Sequence, residues 1–236
     1  MWWLVGPGVV VAVGYAALVA TARLRYGRPP AAPVGAADPL LDRFFPRYDI
    51  VERHHIDIDA PPAIVFAAAR DIDLRQSTLA RVIFDTRALV LGAASTEQRR
   101  RGLLTEMMGL GWGILAEVPD REVVLGAICR PWEANVEFQP LAPDVFAAFA
   151  EPGYVKIAWT LRVDPRPDGS SRFLTETRAL GTDPAARRRF RRYWSFVSPG
   201  VALIRRLMLR PLKHDAENRA RSCRPEINRL GAASGR

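Results

Sequence analysis

The chain has 236 residues and a hydrophobic content of 49%, which suffices for one domain with a real core plus extensions. Its 34 Lys and Arg outnumber 25 Asp and Glu, and the net charge of +9 suits anionic partners without restricting the fold. The two cysteines, Cys129 and Cys223, form neither a metal-binding spacing nor a disulfide framework, which indicates a reduced, cytosolic setting.

The first predicted element is a membrane anchor. Residues 2–22 carry no charged side chain, and 21 residues at about 1.5 Å each span the hydrocarbon core of a bilayer. Arg23 and Arg25 follow at once while no Lys or Arg precedes, so the positive-inside rule leaves the rest of the chain cytoplasmic. A cleaved signal peptide ending near 20–22 is the alternative, but it lacks a basic n-region. We therefore expect residues 1–28 to be a single-pass anchor in a bacterial-type inner membrane.

A linker and the start of a folded domain come next. Residues 29–47 begin as a Pro/Ala linker and end in an apolar turn of helix. Val51–Asp59 alternates, with His54 and Ile58 on one face, which predicts a half-buried strand. A helix is expected directly after it, over Ala63–Arg70.

The middle of the chain is rich in strand-like segments. A looser helical stretch over 79–89 and a polar loop over 93–101 precede them. The predicted strands are Gly111–Val118, Glu122–Trp132, Val136–Ala150, Tyr154–Val163 and Arg172–Gly181. Pro-Asp, Pro-Gly and Asp-Gly pairs between them are turn signals, and consecutive short turns imply an antiparallel meander.

A long helix closes the predicted domain. Thr182–Pro184 is a start signal, in which a side-chain oxygen caps the free amides and proline suits the first turn. Apolar residues then recur every three or four positions, and Ser198–Gly200 should bend the helix. We expect the helix to run from Asp183 to about Ala220 and a disordered basic tail to occupy 221–236.

This order predicts an α+β, helix-grip fold, in which a curved antiparallel sheet wraps a long C-terminal helix. The layout over residues 48–220 resembles the START-like (SRPBCC) superfamily, which includes the polyketide cyclase/dehydrase-like proteins. The resemblance is carried by the strand-to-helix junction at Val51–Phe66, by strands at Glu151–Trp159 and Thr175–Arg178, and by the final helix. The apolar N-terminus is an addition to that pattern, and residues 70–108 depart from the compact family form.

The resemblance implies an apolar cavity between sheet and helix that holds a lipid, sterol or polyketide, and in some members a cyclisation. We take eight residues as candidates for ligand binding: His54, Trp112, Trp132, Tyr154, Trp159, Glu176, Tyr193 and Trp194. The aromatic members fit a filled core as well as a cavity lining, and the sequence does not separate the two.

His54 is the candidate with the most chemistry. In the phase of Ile58 it faces the concave side, where it could bind a polar group or move a proton near neutral pH. The alternative is a core histidine bonded to a neighbouring strand or to Glu176. Glu176 and Arg178 are themselves either a polar pair inside the cavity or an exterior pair, with Thr177 facing inward instead.

Motifs for cofactor or metal chemistry are lacking in the sequence, so we expect neither. There is no HExxH, no phosphate-binding glycine loop and no nucleophile elbow. His54 and His55 point to opposite faces of a strand and cannot share an ion. The glycines of Gly109–Gly113 lack the strand-then-helix context of a dinucleotide site.

The final helix carries a dense basic run that includes Arg187, Arg188, Arg191 and Arg192. It is a solvated face, a contact with the anionic inner leaflet, or a phosphate-binding surface for nucleic acid, and we favour them in that order. The sequence thus predicts a membrane-anchored START-like domain that binds an apolar lipid, isoprenoid or polyketide-like molecule without required catalysis. The alternatives are a cyclase/dehydrase-type enzyme that uses His54 and a non-catalytic scaffold whose basic helix binds a partner or membrane.

Overall fold

The computed structural model describes residues 14, 20–21, 38–72 and 102–233, with side chains as far as Cys223. The helices are α1 (Pro39–Phe44), α2 (Pro62–Asp71), α3 (Leu103–Gly109), α4 (Pro143–Ala148) and α5 (Pro184–Ala233). The strands are β1 (Ile50–Ile58), β2 (Gly113–Val118), β3 (Glu122–Cys129), β4 (Val155–Pro165) and β5 (Ser171–Gly181). The predicted helical stretch 79–89, the loop 93–101 and nearly all of the anchor lie outside the described residues. Within the described part, no helix has both the length and the apolarity to cross a bilayer.

The strands form one antiparallel sheet in the order β1-β5-β4-β3-β2. Strands β2 to β5 correspond to four of the five strands of the predicted meander, and β1 returns to pair with β5 at the sheet edge. Asp120, Gly153 and Gly169 take positive φ at the three turns where Pro-Asp, Pro-Gly and Asp-Gly stand in the sequence. The α+β architecture of a sheet with a long C-terminal helix packed on it is therefore confirmed.

The inner face of the sheet, which faces α5 and α2, carries most of the core. A large cluster contains Phe66, Leu125, Leu161, Phe173 and Leu212 among others, and burying each such side chain stabilises the fold by about 1.5–3 kcal/mol. A second cluster lies toward the start of α5 and contains Ile50, Val155, Ala179, Phe190 and Trp194. Ile157 contacts both clusters from the middle strand.

The outer face of the sheet is also covered, although the sequence did not predict this. Phe45, next to α1, packs its ring 5.8 Å from that of Phe146 on α4, and both side chains are buried. Lys156 lies beneath them with its amine 5.0 Å from the Phe146 ring centroid, and it donates a hydrogen bond to the Ala147 carbonyl at 2.9 Å. Every residue of β3 is consequently buried.

One predicted strand is wrong. Val136–Ala150 contains a single β-bridge, between Gln139 and Ile128, followed by helix α4. Pro143 stands in the first turn of α4, where its missing N–H costs nothing, and Phe146 is the one buried side chain of the helix. The apolar pattern of this stretch reflects a short amphipathic cover on the sheet rather than a fifth strand of the meander.

Helix α5 begins as predicted and extends further. Oδ1 of Asp183 accepts hydrogen bonds from the amides of Ala185 at 2.7 Å and Ala186 at 3.0 Å, which caps the helix. The helix continues through Pro199 without ending and reaches Ala233, within the stretch predicted to be a disordered tail. Ion pairs between Lys213 and Glu217 and between Asp215 and Arg219, each 2.9 Å, support its later turns.

Candidate ligand-binding site

A group of polar side chains interrupts the apolar inner face. Glu52 and His54 on β1 lie opposite Thr177 and Thr175 on β5, so the alternation of both strands turns all four toward α5. Arg205 reaches this group from the helix, where its Nη2 donates a hydrogen bond to Oγ1 of Thr177. We call these five residues the polar belt. It lies between the two apolar clusters.

Direct contacts hold the belt in place. Nε2 of His54 lies 3.7 Å from Oε2 of Glu52, and the side chains of both residues are buried. Nε1 of Trp159 on β4 donates a hydrogen bond of 2.6 Å to Oγ1 of Thr175. Cross-strand pairing therefore brings an imidazole, a carboxylate, two hydroxyls and an indole to one patch of the sheet.

Arg205 is the cation of this patch. Burial lowers the pKa of its guanidinium to about 10, and the negative charge of Glu52 opposes this effect, so Arg205 stays protonated at neutral pH. Nη1 of Arg205 and the buried Oγ of Ser198, also on α5, make no hydrogen bond within the described part of the chain. Buried donors of this kind are costly unless a polar group meets them.

The surroundings of the belt are apolar and not fully closed. Ile157 and Trp159 lie on β4, the middle strand of the sheet, and their side chains face α5, yet both remain partly exposed. An inward side chain in the middle of a sheet keeps such exposure only where the covering helix leaves space above it. Ile56 on β1 and Leu209 on α5 are likewise partly exposed and pack against the same cluster.

Five of the predicted aromatic residues lie on the inner side. Trp159 adjoins the belt. Trp194, Tyr193 and Trp132 join the second cluster, where the Phe190 ring centroid is 5.8 Å from that of Trp194 and 6.3 Å from that of Tyr193. Trp112 packs in the large cluster, 5.2 Å from the ring of Phe138. The structure brings Trp159 and His54 together and places the other four at either end of the inner face.

Tyr154 and Glu176 lie elsewhere. The Tyr154 ring packs against Phe149 at 5.6 Å and against the guanidinium of Arg130 at 4.4 Å, away from the polar belt. Glu176 lies on the outer face, where it binds Arg53 at 2.7 Å and Arg178 at 2.6 Å. Because successive residues of a strand alternate faces, Glu176 cannot share a site with Thr175 and Thr177. Of the two interpretations of this strand, the structure selects the exterior pair.

The exterior pair is nevertheless buried. Arg178 is 2% exposed because α1 covers it, and it also donates to the carbonyl of Phe45 at 2.7 Å and to Oδ1 of Asp42. Burial lowers the pKa of Arg178, but hydrogen bonds to Glu176 and Asp42 outweigh this effect and leave it raised. This network fastens α1 to the back of the sheet.

The two charged members of the belt, Glu52 and Arg205, are not among the predicted site residues. Glu52 shares the alternation phase of His54 and Ile58, and Arg205 lies one residue from Ile204 in the apolar phase of α5. A charged residue at a position where the strand or helix pattern expects an apolar one was the signal that could have identified both. Among the described residues, no three His, Cys, Asp or Glu side chains cluster in a way that could hold a metal ion.

The basic run divides in two. Arg187 and Arg191 turn toward Asp49, whose carboxylate lies 3.3 Å and 3.9 Å from their guanidinium nitrogens. Arg188 and Arg192 are exposed. Within the described part of the chain, Arg188 and Arg192 form no salt bridge, so of these four arginines they are the ones that a partner could engage without breaking one.

Comparisons with known proteins add only weak likenesses. No family model matches the chain, and no curated protein does. Protein CV1439 from Chromobacterium violaceum is 13% identical, over 65% of this chain and 96% of that one, with a TM-score of 0.25. CalU16 from Micromonospora echinospora is 12% identical, over 73% of this chain and 85% of that one, also at 0.25. Ara h 8.0201 is 8% identical, over 65% of this chain and 98% of that one, at 0.20. At such TM-scores these likenesses carry no argument, and the helix-grip architecture rests on the sheet order and on α5.

Proposed function

We propose that this domain binds an apolar small molecule, of the lipid, isoprenoid or polyketide-like class, between the sheet and α5. The observation that carries the proposal is the partial exposure of Ile157 and Trp159 on the middle strand beneath the helix. Covering such surface with a ligand would contribute roughly 25 cal/mol per Å² of apolar area removed from water.

The polar belt would orient the ligand. Nη1 of Arg205 and Oγ of Ser198 are donors that a carbonyl, hydroxyl or carboxylate of the ligand can satisfy. An apolar body with one polar end therefore fits this face better than a uniformly apolar molecule does.

A larger side chain that fills the space between the sheet and α5 tests the proposal. In native mass spectrometry of the full chain released from detergent, we expect an apolar compound to co-purify with the wild type and to be lost from Ile157→Trp, which would remain folded. Leu174→Trp is the matched control, because Leu174 is a partly exposed apolar residue on the outer face of β5. If Ile157→Trp unfolds the protein while Leu174→Trp does not, the inner face is a filled core and the proposal fails.

A second candidate is an enzyme in which His54 moves a proton. The 3.7 Å separation of His54 and Glu52 favours it, because an imidazole and a carboxylate side by side are the groups that general acid–base catalysis uses. His54→Gln separates the two candidates. A binding protein should keep most of its affinity for the extracted compound, whereas an enzyme should bind that compound and no longer convert it.

We also propose that residues 2–22 anchor the domain in the membrane with the folded part cytoplasmic. The uncharged run and the arginines directly after it support this orientation. Resistance to carbonate extraction, together with protease sensitivity of the domain only in inverted membrane vesicles, is the expected result. Recovery of the full chain in the carbonate supernatant would contradict the anchor.

A further inference from the structure

The side of α5 that faces away from the sheet carries an unusual set of exposed residues. Phe196 is 51% and Leu203 43% exposed, and the other exposed members are Arg188, Arg192, Arg206 and Arg210. At 100° per residue these six positions fall within a sector of about 80°, on the opposite side from Phe190 and Met208 of the core. We call them the outer stripe. Since each residue adds about 1.5 Å, the stripe extends roughly 33 Å along the helix.

The stripe is cationic and carries no acidic side chain. The only acidic residues of α5 as far as Cys223, Asp215 and Glu217, lie beyond it and pair with Arg219 and Lys213. Arg188 interacts electrostatically with Asp183 at the helix start. Within the described part of the chain, Arg192, Arg206 and Arg210 form no salt bridge, so their charges remain available to an anionic partner.

The arrangement of the stripe indicates which partner. The two large apolar side chains lie at its centre, and a pair of arginines flanks them on each side along the axis. Phe196 makes a contact of its own and is still 51% exposed, so part of its ring remains open to a lipid surface, as does the side chain of Leu203. Apolar side chains that can enter the acyl boundary, next to arginines that can reach phosphates, are the pattern of helices that lie on lipid surfaces.

We propose that the outer stripe docks α5 onto the surface of an anionic phospholipid membrane, with Phe196 and Leu203 inserted among the head groups. This inference does not depend on what the inner face binds, because stripe and belt lie on opposite sides of the helix. The proposed membrane contact also differs from the predicted one. Arg187 and Arg191 are excluded from it because they bind Asp49, and Arg206 and Arg210 are added.

The test places a reporter on the stripe of the full chain. Bimane, itself apolar, is attached at Leu203→Cys in a Cys223→Ser background, where the remaining Cys129 is buried. The protein is reconstituted with vesicles of phosphatidylcholine alone or mixed with 30% phosphatidylglycerol, each containing doxyl-labelled lipid as quencher. We expect strong bimane quenching only in the phosphatidylglycerol vesicles, and its loss in 0.5 M NaCl because salt screens exposed charges.

Two charge-reversal variants complete the test. Arg206→Glu with Arg210→Glu should reduce the quenching to the phosphatidylcholine level, since each basic residue near an anionic leaflet favours docking roughly fivefold. Arg121→Glu with Arg130→Glu, an equal charge change on exposed arginines elsewhere, should leave quenching intact. Unquenched wild-type bimane on anionic vesicles would overturn the proposal. So would quenching that survives Arg206→Glu/Arg210→Glu. A parallel sample receives RNA instead of vesicles. If RNA changes the bimane fluorescence while no vesicle quenches it, the stripe binds nucleic acid and the proposal is overturned.

Discussion

Arg205 on the C-terminal helix donates a hydrogen bond to Thr177 on the adjoining strand, across an otherwise apolar interface. Glu52, paired with Thr177 across β1 and β5, supplies the negative charge that partly compensates the buried guanidinium. The helix is thus fixed against the sheet by apolar clusters on both sides and by a charged contact between them. Such a contact costs desolvation, and Nη1 of Arg205 makes no hydrogen bond within the described part of the chain.

Removing the charge of Arg205 should destabilise the fold. We expect Arg205→Met to lower the free energy of unfolding by about 1–3 kcal/mol, because the buried Glu52 loses the positive charge that Arg205 supplies. Urea denaturation measures this change. Glu52→Gln added to Arg205→Met should recover part of the loss. Arg210→Met, on the exposed side of the same helix, should change stability by about 0.5 kcal/mol or less.

Substitutions of Trp159 should measure how much its indole hydrogen bond contributes to the free energy of unfolding. Trp159→Phe keeps most of the ring and removes the donor to Thr175, which should cost about 1 kcal/mol beyond the loss of ring area. Thr175→Val removes the acceptor, and the two substitutions together should cost less than their sum, because each breaks the same bond. Additive losses in a double-mutant cycle measured with urea would show that the bond contributes nothing to stability.

The free energy of unfolding should fall as the pH rises, because Glu122 has a raised pKa in the folded protein. Burial, together with a hydrogen bond to Asp38 and the charge of that residue, raises the pKa of Glu122 to about 8 from an ordinary 4.5. Between these values the unfolded chain loses the proton that the folded protein keeps. Folding is therefore most favoured below about pH 4.5 and loses this contribution as pH rises through 8.

The measurement compares urea denaturation of the wild type and Glu122→Gln at pH 5, 7 and 9. The wild type should lose a few kcal/mol relative to the variant across this window, because each pKa unit corresponds to about 1.4 kcal/mol. Glu133→Gln, at an exposed carboxyl, is the control and should run parallel to the wild type. Parallel curves for Glu122→Gln and wild type would show that Glu122 is ionised in the fold at neutral pH.

Arg178 should be the most costly arginine to remove. Arg178→Met leaves the buried Glu176 with one cation instead of two and frees the carbonyl of Phe45, so we expect a loss of about 3 kcal/mol. Arg172→Met breaks an exposed pair with Asp57 and should cost at most about 1 kcal/mol. Faster proteolysis near α1 in Arg178→Met would show that the network fastens this helix. Equal stability of the two variants would contradict it.

Local chemistry made much of the fold predictable. Four of the five predicted meander strands follow from the alternation of apolar and polar residues. Side-chain capping predicts the start of α5 at Asp183, and backbone stereochemistry predicts the turns at Asp120, Gly153 and Gly169. These features depend on residues close together in the chain. The inward phase of His54 was predictable for the same reason, because alternation in one strand defines its two faces.

Contacts between distant segments decided the rest. Pro143–Ala148 became a helix because Phe146 reaches the core that Phe45 and the back of the sheet provide, and no local pattern states this. The sequence alone determined the strands, the turns, the start of the final helix and which side of β1 carries His54. Only the tertiary structure decided that Glu176 lies behind the sheet and that Glu52 and Arg205 meet in front of it, because cross-strand register and helix rotation depend on long-range packing.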